Sequence, residues 1–107
     1  LINCSKDDDT TINYGKIEYK VFSEYQNDNI SIGFMGLNGY YTRNKIVSPP
    51  YSFIIENYNY EYAKIEAWRP SLSSGFITVE IYLNNVLVTS ETVKESKYVA
   101  NAGYNLY

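Results

Sequence analysis

Apolar and polar residues alternate with a period of two through most of the chain. In "KIEYKVFSE", Ile17, Tyr19 and Val21 share one parity and Glu18, Lys20 and Glu24 the other, with Phe22 the exception on the polar side. A period of two sends successive side chains to opposite faces and predicts a half-buried strand. "NISIGFMG" repeats the pattern through Ile30, Ile32 and Phe34, and Asn38-Gly39 beyond it predicts a hairpin turn, because both residues tolerate positive φ. Two prolines in "SPPYSFIIEN" cannot donate to a ladder, so they mark a loop or edge before a short strand around Phe53 to Ile55. In "YEYAKIEAWRP", Ala63, Ile65 and Ala67 oppose Tyr62, Lys64, Glu66 and Trp68, and Pro70 ends the run. "GFITVEIYLNNVLVTSETV" predicts a hairpin, with Ile77, Val79, Ile81 and Leu83 on one face and Asn84-Asn85 at the turn. "KYVANAGYNLY" reads as a last strand interrupted near Gly103.

Seven to eight short strands, with no useful length of helical spacing, predict an all-β protein: an antiparallel, immunoglobulin-like β-sandwich. At 107 residues and 45% hydrophobic, the chain suits one modest core, expected over residues 15–107 behind a terminal tether over 1–14. Thirteen tyrosines, with four Phe and one Trp, favour the same class, since a tyrosine ring covers a pleated surface while its hydroxyl reaches a polar partner. No histidine is present, which removes histidine triads, imidazole zinc sites and a histidine pH switch. A single cysteine leaves no intrachain disulfide. Net charge is −3, of which the one lysine and three aspartates at 6–9 supply −2. Nine scattered cations do not form the basic cluster that nucleic acid needs.

The chain opens "LINCSKDDD", with its one cysteine fourth. Leu1 and Ile2 ahead of Cys4, and a polar stretch behind it, resemble the lipobox of bacterial lipoproteins. Ser5, Lys6, Asp7, Asp8 and Asp9 resemble the acidic start of mature surface lipoproteins of the Bacteroidota type. The resemblance implies acylation of Cys4, residues 5 to about 14 as a tether, and a lipid-anchored position at the outer membrane or cell surface. Several acyl chains at about 0.8 kcal/mol per CH2 hold a protein stably where one does not. The alternative is a free cysteine beside a solvated charge run. Calcium is not expected at Asp7, Asp8 and Asp9, because three adjacent aspartates without a turn glycine do not supply six to eight oxygens.

From residue 17 onward the order of motifs is similar to the MmpS family. The matching pieces are "IEYKV", "SIGFMGLNGYY", "PPYS", "AKIEAW" and "ITVEIYLNNVLVTSET". That resemblance implies a small β-sandwich, and its founding members are accessory to mycobacterial exporters. They carry a transmembrane helix at the N-terminus, where this chain would use a lipid.

The densest aromatic cluster is "NYNYEYAKIEAWRP". With Ala63, Ile65 and Ala67 inward, Tyr58, Tyr60, Tyr62 and Trp68 share the outward parity, and Tyr82 joins them if pairing is sequential. Such a stripe could stack on sugar rings or meet an envelope protein; equally, the rings could pack on one another across strands. Glu18, Glu56, Glu61, Glu66, Glu80 and Glu91 read as strand-face and loop charges. No phosphate loop, nucleophile elbow or paired base is present, so no enzyme, metal or cofactor is expected. The reading is a lipid-anchored cell-envelope protein that acts as a non-catalytic binding or accessory module, with a glycan or an exporter as alternative partners. Oligomeric state is left open.

Overall fold

Eight strands follow the alternation closely in a computed structural model that describes residues 12–24, 29–68, 75–94 and 99–107. They are β1 (Ile17–Ser23), β2 (Ile30–Met35), β3 (Tyr41–Val47), β4 (Tyr51–Ile55), β5 (Tyr62–Trp68), β6 (Phe76–Leu83), β7 (Val86–Lys94) and β8 (Val99–Asn105). They form two antiparallel four-stranded sheets, ordered β4-β1-β6-β7 and β3-β2-β5-β8. The protein is therefore an all-β sandwich of two antiparallel sheets, and β1 and β2 lie in different sheets. Cys4 and the Ser5 to Asp9 run lie outside the described residues.

Two turns of the same chemistry make the hairpins. Asn38 and Gly39 (φ 61° and 79°) reverse the chain between β2 and β3, and Asn84 and Asn85 (φ 49° and 72°) do so between β6 and β7. Positive φ at both central residues matches the right-handed twist of the flanking strands. Gly39 is required twice over, since an added Cβ would also lie 2.6 Å from a ring carbon of Tyr60. β3 carries a bulge: Arg43 and Asn44 together oppose Gly33, and Asn44 takes the left-handed conformation at φ 58°.

The core holds every inward residue expected of β1, β5 and the buried part of β6: Ile17, Tyr19, Val21, Ala63, Ile65, Ala67, Ile77, Val79 and Ile81. Ile30 and Ile32 add to it from β2. Phe34, Phe53 and Tyr19 form an aromatic cluster, with Phe34 and Phe53 centroids 4.6 Å apart. Tyr19 and Tyr58 are the largest fully buried side chains, and both need partners for their hydroxyls. Tyr19, on the first sheet, donates to the Met35 carbonyl at 2.7 Å and accepts from the Lys64 amide at 3.3 Å, both on the second. Tyr58 donates to the Tyr62 carbonyl at 2.8 Å. Leaving such a hydroxyl unpaired would cost roughly 1–3 kcal/mol, so Tyr19 pins one sheet to the other and Tyr58 pins the 56–61 loop to β5.

The strand β8 runs through Gly103 without a break, contrary to the interruption expected there, because Gly103 pairs with Lys64 in register. The folded part also begins slightly earlier than residue 15. The Tyr14 amide donates to the Tyr58 carbonyl at 2.8 Å, and Asn13 donates to Asn57 at 3.0 Å.

The registers put all described turns and chain ends in two groups. One end of the sandwich gathers residues 12–16, the Leu37–Gly39 turn, residues 56–61, the Asn84-Asn85 turn and residues 106–107. The opposite end carries the Pro49-Pro50 corner and the strand ends Ser23, Ile30, Trp68, Phe76, Lys94 and Val99.

Candidate functional site

The aromatic stripe expected along "NYNYEYAKIEAW" does not form as one line. Alternation holds only inside a strand, and β5 begins at Tyr62. Tyr58 lies in the preceding loop and turns into the core, where it is fully buried. Tyr60, in the same loop, packs against the core and over Gly39 rather than joining an outward row. Tyr82 sits on the other sheet altogether, because β6 pairs with β1 and β7 and not with β5. Only Tyr62 and Trp68 keep the expected place, on the outward face of β5, each partly exposed.

Other residues complete the outward face of the second sheet. At one level Ile46, Ser31, Trp68 and Val99 stand in register across β3, β2, β5 and β8. The next level holds Gly33, Glu66 and Asn101, and the one after it pairs Lys64 with Gly103. Both glycines are roofed by tyrosines from neighbouring strands. The Tyr41 ring lies over Gly33, where a Cβ would come within 3.0 Å of ring carbons, and the hydroxyl end of Tyr62 lies over Gly103. A glycine inside a strand leaves bare backbone, and an aromatic ring laid across it restores the lost apolar contact. Gly33 is buried for this reason although it faces outward.

Electrostatics fix Tyr41 in that position. Its hydroxyl donates a hydrogen bond to Glu66 Oε1, and Lys64 Nζ lies 3.6 Å from Glu66 Oε2. The Arg43 guanidinium stands 5.0 Å from the Tyr41 ring centroid and Lys64 Nζ 5.9 Å, both within cation–π range. Burial, and then the hydrogen bond to Glu66, hold the Tyr41 phenol well above its ordinary pKa. It is a neutral donor at any physiological pH, and Glu66 is its acceptor. The arrangement presents ring faces, a carboxylate and two cations on one surface. It contains no nucleophile next to a base, and no group of three or more His, Cys, Asp or Glu among the described residues could hold a metal.

Sequence reasoning missed Tyr41 and the role of Gly33. The signal was present: a glycine inside an apolar run marks close approach of another group. The bulge at Arg43 and Asn44 hid the alternation of β3 that would have turned Tyr41 outward.

Fold and surface together define the class as an eight-stranded β-sandwich with one aromatic, charge-laced outer sheet face. No protein-family model and no curated protein matches the chain.

Proposed function

We propose that the protein is a lipid-anchored cell-envelope module that binds or scaffolds without catalysis, and that it uses the outward face of the β3-β2-β5-β8 sheet for contact. Cys4 carries the lipid in this reading, residues 5–11 form the tether, and Tyr41, Tyr62 and Trp68 lead the contact face. The observation that carries the contact face is the row Tyr62, Lys64, Glu66 and Trp68 along β5, with Tyr41 laid beside it. Rigid rings supply large contact area at low entropic cost, and the charges between them give direction to hydrogen bonds.

The anchor rests on the residues around Cys4, and the MmpS resemblance adds an exporter or other envelope protein as one partner class. A glycan is the second reading. It is favoured by the tyrosines held against the sheet over Gly33 and Gly103, because a ring fixed in this way offers a stacking surface beside Glu66 and Asn101.

Two measurements test the proposal. Growth with an alkyne-tagged fatty acid should label the wild-type chain and leave Cys4→Ser unlabelled; equal labelling of both would sink the anchor. Titration of the folded domain with a panel of cell-surface oligosaccharides, followed by Trp68 fluorescence, should give a saturable change that Trp68→Phe abolishes. No change with any sugar excludes the glycan reading and leaves the protein partner.

A further inference from the structure

Exposed apolar side chains are concentrated at one end of the sandwich. Among the described residues eight large ones are exposed, and six of them, Ile12, Leu37, Tyr40, Val86, Leu87 and Tyr107, lie at the end that gathers both hairpin turns and both described chain ends. Turn tips are ordinarily polar. Here Tyr40 is 76% exposed and Val86 62%, each directly beside a turn asparagine or glycine that the backbone requires.

Several polar groups of these turns are already paired within the protein. The Gly36 amide donates to the Tyr40 carbonyl at 2.7 Å and the Tyr40 amide to the Leu37 carbonyl at 3.2 Å. Asn38 and Asn59 exchange hydrogen bonds of 2.8 and 2.7 Å. Asn84 accepts from the Lys16 amide at 2.9 Å and donates to the Tyr14 carbonyl at 3.1 Å. A tip with these groups internally paired enters an apolar medium at lower desolvation cost than one with none of them paired.

We propose that this end of the sandwich rests on a lipid bilayer, with Leu37, Tyr40, Val86 and Leu87 seated at the membrane interface. The occupant follows from the tether, and so rests on the anchored reading above: seven residues separate Cys4 from Ile12, and the eight Cα–Cα steps between them span at most about 29 Å. An acylated Cys4 therefore keeps Ile12, and with it this end, within about 29 Å of the headgroups. Aliphatic and tyrosine side chains together suit that layer, where an apolar body meets a polar rim. Among the described residues at this end the charged side chains are Lys16, Glu56 and Glu61, one cation against two anions, and Lys6 to Asp9 in the tether add a net −2, so contact is apolar and does not depend on anionic lipid.

The test uses the full chain as Cys4→Ser, which no lipid can carry, floated with neutral phosphatidylcholine vesicles. It should float with the vesicles, and Leu37→Ser with Val86→Ser should reduce the bound fraction about tenfold. Ile46→Ser, at the opposite end, should leave it unchanged. Failure of Cys4→Ser to float, or an equal loss with Ile46→Ser, overturns the proposal. If the double variant does not fold, Tyr40→Trp combined with Trp68→Phe replaces it: bromine-labelled lipid should quench its emission, and unquenched emission is the overturning result. The fatty-acid label separates the two readings. Flotation without label removes the anchor alone, and label without flotation of Cys4→Ser removes the membrane contact alone.

Discussion

The two outer faces of the sandwich are built from similar residues by different means. On the β4-β1-β6-β7 sheet, side chains stand upright and satisfy one another locally. Lys20 Nζ lies 4.7 Å from the Tyr82 ring centroid, Tyr82 donates to Glu80 at 2.8 Å, and Thr78 meets Thr92 at 2.7 Å. On the β3-β2-β5-β8 sheet, tyrosines lie down over glycines and are held by Glu66 and its cations. The first arrangement is a solvated face whose members can change singly. The second is a mosaic in which backbone, ring and charge depend on one another. A tyrosine count cannot distinguish them; what matters is whether a glycine stands opposite.

The comparison can be broken at several points. Gly33→Val should have the largest effect, because its side chain occupies the place of the Tyr41 ring. A loss of about 1–3 kcal/mol is expected in urea unfolding, against a change within about 0.5 kcal/mol for Lys20→Val on the other face. Equal effects at the two positions would erase the distinction.

Alkaline pH acts next. Burial raises the Tyr19 and Tyr58 phenols, and burial with the Glu66 hydrogen bond raises Tyr41. The folded state then holds protons that the unfolded chain releases near its ordinary tyrosine pKa of about 10. Stability from these groups is complete below that pH and declines as pH rises above it, by up to about 1.4 kcal/mol per unit for one buried group. Urea midpoints from pH 8 to 11.5 should stay level and then fall, and a rise above pH 10 would contradict the buried hydroxyl network.

Tyr41→Phe removes the hydroxyl from Glu66 while keeping the ring on Gly33, and should cost about 1 kcal/mol. Tyr82→Phe, which loses the corresponding bond to Glu80 on the open face, should cost less than about 0.5 kcal/mol in the same assay. Smallest of all, Thr78→Ala should lower stability by a few tenths of about 1 kcal/mol, since one cross-strand hydroxyl pair in water is replaced by solvent.

The strands were legible because Ile17, Tyr19 and Val21, or Ala63, Ile65 and Ala67, alternate without a break, and because asparagine marks both hairpins. Positions between strands were not. Tyr58 shares the parity of Tyr62 in sequence, yet the loop at 56–61 carries the chain from one sheet to the other and resets which way a side chain points. Tyr82 was misplaced because strands adjacent in sequence, β5 and β6, belong to different sheets. Alternation reports a residue's face within its own strand and carries no information about which sheet that strand joins.

The two flanks of the sandwich also manage their strand edges differently. Where β7 meets β8, Glu91 Oε1 accepts from the Asn101 amide at 2.6 Å and closes the seam. Along β3, the bulge at Arg43 and Asn44 kinks the edge, and Lys45, opposite core-facing Ile32, sets a charge on its inner side. A bent, charged edge is a poor template for another strand. Edge-to-edge stacking is the first hazard of crowding for any sheet with open edges. Arg43 to Lys45 thus give the protein a means of remaining separate at high concentration, with no loss of the sheet that those same residues border.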